Sequence, residues 1–330
     1  MDDQGANLEE LFAEMREIQQ RFLKIYGVND IWSNSKIYEV LQANTLGHKL
    51  IPGHSGSLDA CDDLGNEFEY KHFKQTSSNH SWTFNDYSDT TIQKLNEKVE
   101  AVYFAHVDDE TYPPRVDWTY EASGTQIAIY LDKYTAGMKN ARRMINISAK
   151  QLEERENLSK KLLNSELADG VYGAELVRIF QIISELESKV GVSNILTSSK
   201  FWEVLVSLPL GHQVNSEQGG RAGAHDAVDK NGGDYEYKVS SSKSWSFQDI
   251  SPTVLKKYLE CEGIILAIVD KTNIKVEEVW LADPKNVVPR LKQKLKEKDN
   301  RYNLRAKPVR RQQVSLSAGD LERIEASKII

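Results

Sequence analysis

Long apolar runs are missing from this chain. The longest, Gly263 to Val269, is far too short to cross a bilayer. The opening Met1-Asp-Asp-Gln-Gly is acidic and lacks the apolar segment of a secretory leader. Cysteine is nearly absent, with Cys61 and Cys261 the only two among 330 residues. Two thiols so far apart make neither a disulfide framework nor a metal-ligand spacing, and read as small buried thiols in a reducing cytosol. Positive charge is short as well: 42 Lys and Arg against 49 Asp and Glu give a net charge of −7. That balance argues against non-specific coating of a polyanion. It leaves room for an enzyme whose carboxylates gather at a metal site and whose positive charge is local. One local excess exists, since Arg290 to Arg311 holds ten Lys or Arg against Glu297 and Asp299; taken alone it reads as a solvated helix face with a basic tail. The expectation is a cytoplasmic protein with no membrane attachment.

What is present is an ordinary globular balance, 40% hydrophobic and 28% charged, with length enough for two domains that each bury a core. The chain also repeats itself. Gly27-Val-Asn-Asp-Ile returns as Gly191-Val-Ser-Asn-Ile, and Lys36-Ile-Tyr-Glu-Val-Leu as Lys200-Phe-Trp-Glu-Val-Leu. Leu46-Gly-His returns as Leu210-Gly-His, and Asp59-Ala-Cys-Asp as Asp226-Ala-Val-Asp. Glu69-Tyr-Lys returns as Glu236-Tyr-Lys, and Ser81-Trp-Thr-Phe-Asn-Asp-Tyr-Ser as Ser244-Trp-Ser-Phe-Gln-Asp-Ile-Ser. The offset stays between 161 and 169 residues, a period that means two whole domains and not a solenoid. The domains expected are 1–156 and 173–330, joined by a polar linker at 157–172.

Each half opens with an amphipathic helix, marked by Phe12, Met15, Ile18 and Phe22 or by Leu176, Ile179, Ile182 and Leu186. A short second helix follows at Lys36 to Leu41 or Lys200 to Leu205. Two strands joined by a Gly-containing turn come next (Asp62-Asp-Leu-Gly-Asn; Asp229-Lys-Asn-Gly-Gly). After the Trp-x-Phe segment a helix carries Ile92 and Leu95, or Val254 and Leu255. Buried strands are expected at Ala101 to Val107 and Gly263 to Val269, and further strands around Trp118 and Trp280. Helices around a short mixed sheet make an α/β core.

Asp59, Glu69 and Lys71, with their copies Asp226, Glu236 and Lys238, carry the chemistry. Residues two apart in a strand share a face, so Glu69 and Lys71 point together while Tyr70 points away. The hairpin turn brings Asp59 back beside them. Two carboxylates and an ammonium at one sheet edge suit Mg²⁺, which takes one or two protein carboxylates together with waters and substrate phosphate. Such an ion lowers the pKa of a bound water and stabilises charge on a scissile phosphate, and the lysine neutralises charge in the transition state. A single Asp-x9-Glu-x-Lys arises easily by chance. Two copies whose internal intervals hold while the surrounding loops drift are far more specific.

At these residues the chain resembles the PvuII-type type II restriction endonucleases of the PD-(D/E)XK nuclease superfamily. The resemblance rests on Pro52-Gly-x-x-Gly, Asp59-Ala-Cys-Asp, a Gly turn and Glu67-Phe-Glu-Tyr-Lys in the first half, and on Asp226-Ala-Val-Asp, a Gly turn and Tyr235-Glu-Tyr-Lys in the second. It extends to Gly27-Val-Asn-Asp-Ile upstream and Pro252-Thr-Val-Leu-Lys-Lys-Tyr downstream. It implies two tandem restriction-endonuclease-like domains in one polypeptide, equivalent to a fused dimer. It further implies Mg²⁺-dependent hydrolysis of both strands of duplex DNA, leaving 5′-phosphates. Asp59, Glu69, Asp226 and Glu236 would hold the metal. The expected protein is a functional bacterial monomer with a companion DNA methyltransferase in the host. A strand-specific nicking enzyme and a duplicated, non-catalytic DNA-binding protein are the alternatives.

In that family the segment after the catalytic strand reads bases. Here it supplies Asn85 and Asp86, and Gln248 and Asp249. An Asn or Gln amide pairs bidentately with adenine, and an Asp accepts from the cytosine amino group; the other reading of Asp86 and Asp249 is as caps of the next helix. Trp82, Phe84, Trp245 and Phe247 alternate and read as core. Arg142 and Arg143 precede Ile147-Ser-Ala as Arg310 and Arg311 precede Leu316-Ser-Ala, with Asn140 beside the first pair. These arginines serve as guanine readers, phosphate clamps or plain surface. Asn34 and Ser198 occupy a loop that approaches the minor groove in the family. Glu39 and Glu203 read as an outer acidic shell or as helix-surface ion pairs. His48 and His212 read as helix-end caps without general-base duty.

Overall fold

The computed structural model describes residues 3–33, 35–52, 58–138, 143–164, 166–196, 199–215, 225–303 and 313–330. Among them the chain is a mixed α/β protein with ten α-helices and two six-stranded mixed sheets. No described helix is long and apolar enough to cross a membrane. The chain divides into two compact units, Glu17–Ser184 (unit I) and Met1–Arg16 with Glu185–Ile330 (unit II).

Helix α1 (Asp3–Arg21) runs into a π-helical turn, Phe22–Tyr26, which ends at Gly27 with φ 69°. Glycine holds that left-handed conformation without a Cβ penalty. In unit I there follow α2 (Lys36–Leu46), β1 (Lys49–Leu50), β2 (Ala60–Cys61), β3 (Glu67–Lys74), β4 (Trp82–Tyr87), α3 (Asp89–Lys98), β5 (Val99–Asp108), β6 (Arg115–Ser123), α4 (Gly124–Thr135), β7 (Arg143–Ile147), α5 (Ala149–Glu156), β8 (Lys161–Leu162) and the first part of α6 (Gly173–Val190). The sheet order is β1-β2-β3-β5-β6-β8, with β3 and β5 parallel and the other pairs antiparallel. Strand β5, between two partners, is buried from Ala101 to Val107, which explains a run that is apolar except for His106, whose ring is bonded by Asp117 and Gln75. Trp82 and Phe84 of β4 are fully buried, and the Trp82 indole N–H donates to Ala105 O at 2.8 Å.

Unit II continues through α7 (Lys200–Leu210), β9 (Gln213–Val214), β10 (Ala227–Val228), β11 (Asp234–Ser240), β12 (Ser244–Phe247), α8 (Pro252–Tyr258), β13 (Gly263–Asp270), β14 (Lys275–Ala282), α9 (Pro284–Asn303), β15 (Val314–Ser317), α10 (Ala318–Leu321) and β16 (Ser327–Lys328). Its sheet order, β9-β10-β11-β13-β14-β16, again has one parallel pair, β11 with β13. Trp245 is fully buried and donates to Ala267 O at 2.9 Å. In each unit a two-stranded sheet, β4 with β7 or β12 with β15, accompanies the larger one.

The stretch 157–172, expected to be linker, is built into unit I. Strand β8 pairs with β6 at Trp118 and Thr119. Asn44 donates to Leu167 O and accepts from Tyr172 N–H, each at 2.9 Å, and Leu50 N–H donates to the buried Tyr172 hydroxyl at 2.8 Å. The unit closes inside α6 at Ser184. A polar composition hid these anchors because backbone groups, not apolar side chains, make most of them.

Candidate active site

Strand β3 has eight residues while its hairpin partner β2 has two. Past the end of β2, the backbone N–H of Tyr70 has no strand to bond. The Asp59 carboxylate takes that place, Oδ2 accepting from Tyr70 N–H at 2.7 Å. Asp59 is brought there by the β2–β3 hairpin, where Asp62 Oδ1 accepts from Leu64 and Asn66 N–H, both at 2.9 Å, and Gly65 supplies φ 86°. Unit II repeats the device. Asp226 Oδ2 accepts from Tyr237 N–H at 2.8 Å, and Asp229 Oδ1 accepts from Asn231 and Gly233 N–H around Gly232 at φ 87°.

Each aspartate therefore stands beside the Glu and Lys that flank its tyrosine. Lys71 Nζ donates to Glu69 Oε1 and, at 3.0 Å, to Tyr70 O. Lys238 Nζ donates to Glu236 Oε1 and, at 3.1 Å, to Tyr237 O. The lysines lie over buried rings, Lys71 at 5.3 Å from the Phe84 centroid and Lys238 at 5.6 Å from that of Phe247. Burial works to lower their pKa values. The paired glutamates and nearby aspartates outweigh it, so both ammonium groups are held more firmly than in water. The six side chains expected to act together thus form two clusters, one in each unit.

The repeated tyrosines face away from these clusters. Tyr70 and Tyr237 are buried, and their hydroxyls bond His48 Nδ1 at 2.7 Å and His212 Nδ1 at 2.8 Å. The histidines close helices α2 and α7 through their backbone, His48 N–H to Ala43 O and His212 N–H to Ser207 O. Their rings anchor the opposite side of strands β3 and β11, away from the acids. Burial lowers both imidazole pKa values and favours the neutral ring.

Glu39 and Glu203 are not ordinary surface pairs. Glu39 is bound by Lys36, and its charge, with that of Glu69, adds to burial in raising the Asp59 pKa well above the usual carboxylate value, against Lys71 and Lys36. In unit II, Lys200 donates instead to Asn215 O at 2.5 Å, and Glu203 accepts from the Ser199 hydroxyl at 2.6 Å. Burial and then the Asp226 charge push Glu203 up to about 7. Glu236 is also raised, chiefly by burial with Asp226 adding. Each unit therefore gathers three acids where two were expected to act.

Among the described residues no group of three or more His, Cys, Asp or Glu side chains is arranged to enclose a metal ion. A hard cation that keeps its waters needs less. Burial first, and then the charges of Glu39 and Glu69, raise the Asp59 pKa, and a divalent ion beside the carboxylate would oppose that rise. Asp59 with Glu69, and Asp226 with Glu236, offer the all-oxygen donors that Mg²⁺ prefers, and the donor set fits.

Of the expected base readers, Asn85, Gln248 and Asp249 are exposed. Asp86 lies in β4 and Arg143 in β7, their side chains outside those described. Asn34, Asn140, Arg142, Ser198, Arg310 and Arg311 lie outside the described residues. Helices α3 and α8 are capped by Ser88, accepting from Thr91 N–H at 3.3 Å, and Ser251, accepting from Val254 N–H at 3.2 Å, so the cap role falls to serine. In the basic region, Arg290 and Lys294 are tied to the buried Asp320. Two tyrosines beside the clusters had not been singled out. Tyr87 donates to Glu69 Oε1 at 3.3 Å, and the Tyr258 ring lies 5.8 Å from Lys238 Nζ. Comparing the repeats hid both, because Tyr87 stands opposite Ile250 and Tyr258 opposite Leu95. No known family model matches the chain, and no curated protein is significantly similar to it.

Proposed function

We propose that the protein is a Mg²⁺-dependent DNA endonuclease of the type II restriction kind, built as a tandem duplication of two PD-(D/E)XK-like domains that each cut one strand of a duplex. One observation carries the reading: in both units an aspartate carboxylate bonds the N–H between a strand Glu and Lys, bringing two acids and an ammonium together. The shared sheet order and single parallel pair support the duplication.

Asp59 and Glu69, or Asp226 and Glu236, would hold the ion. When bound, Mg²⁺ supplies a water of lowered pKa and charge stabilisation at the phosphate. The lysines do the rest from the protein side. An ammonium kept protonated by its glutamate orients the attacking water and neutralises charge building on the phosphoryl oxygens. Hydrolysis leaves 5′-phosphate and 3′-hydroxyl ends. Exposed Asn85, Gln248 and Asp249 follow each catalytic strand and are the candidate readers of base edges. The working form is a cytoplasmic bacterial monomer acting on double-stranded DNA, its host genome shielded by a methyltransferase.

Supercoiled plasmid incubated with the purified chain decides the matter. Linear DNA at discrete sites with Mg²⁺ and none with EDTA is expected. A wild-type chain that never cuts, and that binds DNA as well with Asp59→Ala and Asp226→Ala as without them, would be a binding module.

A further inference from the structure

Strand β4 of unit I carries one residue more than its partner allows. Phe84 pairs with Ile145 but Tyr87 with Arg143. Three steps on one strand against two on the other is a bulge, and it shifts the alternation of sides by one. Tyr87 consequently turns inward with Trp82 and Phe84, 7% exposed, its ring edge-on to Phe84 at 5.0 Å and 82°. Its hydroxyl donates to Glu69 Oε1, the oxygen Lys71 also uses.

The equivalent strand of unit II, β12, has no such bulge. Strand β12 pairs with β15 residue for residue and ends at Phe247. The chain then turns at Asp249, φ 50°, and buries Ile250 where unit I buries Tyr87. A phenol arrives by another route. Tyr258 of helix α8, 6% exposed, lies edge-on to Phe247 at 5.9 Å and 78°. Leu95 and Tyr258 each stand seven residues after the capping serine, so they are equivalent positions. Each unit thus has one tyrosine and one aliphatic residue at this pair of positions, in opposite assignment. In both, the ring packs on the phenylalanine beneath the lysine ammonium. Packing alone would be met by two aliphatic residues; a retained phenol delivered from two different elements points to its hydroxyl.

We propose that each cluster requires a tyrosine hydroxyl beside its Glu–Lys pair, supplied in unit I by Tyr87 from the bulged strand β4 and in unit II by Tyr258 from helix α8. These are positioning residues. In unit I the hydroxyl and the ammonium together hold Glu69 Oε1, which leaves Oε2 for an incoming cation. The inference rests on the nuclease reading of the clusters.

Tyr87→Phe keeps the ring and removes the oxygen. On plasmid with Mg²⁺, the strand cut by unit I should slow by about ten- to a hundredfold while the other is cut at the wild-type rate, so nicked circles accumulate. The fall should lie in kcat, with KM for DNA and the melting temperature unchanged. Tyr258→Phe should nick with the opposite strand preference. Moving the phenol within unit I, by Tyr87→Ile with Leu95→Tyr, should restore linearisation. Wild-type linearisation rates in Tyr87→Phe would overturn the proposal, as would failed rescue by the relocated phenol at an unchanged melting temperature. A wild-type chain that cuts nothing would instead remove the nuclease reading, and this inference with it.

Discussion

The Asp59 carboxylate receives the backbone N–H of Tyr70 at 2.7 Å, standing where the next residue of a short strand would otherwise stand. This bond gives the aspartate two separable properties. Its oxygen completes the sheet, and its charge crowds against Glu39 and Glu69.

Asp59→Asn separates them. The amide oxygen still accepts from Tyr70, so the fold is retained. Removing a charge that burial and neighbouring acids disfavour should raise the melting temperature. Cleavage by unit I should fall by about a hundredfold or more, as it does where one group serving transition-state charge is lost. Asp226→Asn should do the same for the other strand, and duplexes labelled on each strand will report which is spared. Full-rate linearisation by either single variant would end the model of one site per strand.

His72, half-buried on β3, has its pKa pushed down to about 4 by burial and then by the charges of Lys71 and Lys74. An unfolded histidine titrates near 6.5. Between those values the unfolded chain binds the extra proton, so unit I should lose stability as the pH falls from about 6.5 towards 4 and regain it above. His72→Val, copying Val239 at the equivalent place, should flatten that limb in pH-dependent thermal melts. An unchanged acid limb would count against a neutral His72.

Asp320 in α10 is buried and bound by Arg290 at 2.6 Å, Lys294 at 2.6 Å and the Ser317 N–H at 2.8 Å. Although burial works against it, these donors hold its carboxyl well below the usual range. Its contribution is present above the ordinary carboxylate pKa and fades only in strong acid. Asp320→Ala strands two half-buried cations and should cost unit II about 3–5 kcal/mol, read by chemical denaturation. Lys292 and Lys296, exposed on the same helix, should be replaceable by Gln with little effect on stability.

The periodic elements were legible in advance. Phe12, Met15, Ile18 and Phe22 are buried on a helix as their spacing implies, Ala101 to Val107 is a buried strand, and Trp82, Phe84, Trp245 and Phe247 are core. Cys261 is buried as expected, whereas Cys61 is only partly so. Less legible were α4, β7 and β15, whose patterns are short or lie beside charged segments. For Glu39 and Glu203 the spacing leaves an outer acidic shell and a helix-surface ion pair both open; Glu39 does pair with Lys36, whereas Lys200 turns to Asn215 O and leaves Glu203 to Ser199.

From residue order alone came the two clusters. A strand's two-residue period puts Glu69 beside Lys71 and Glu236 beside Lys238, and a Gly turn returns each aspartate to them; these are short-range rules and survive without knowledge of the rest of the chain. Tertiary structure alone decided that Asp59 bonds Tyr70, that 157–172 belongs to unit I, and that the phenols come from β4 in one unit and α8 in the other. Those outcomes depend on which strands pair, how long each partner is and where a bulge falls, and pairing across many residues leaves no periodic trace in the sequence.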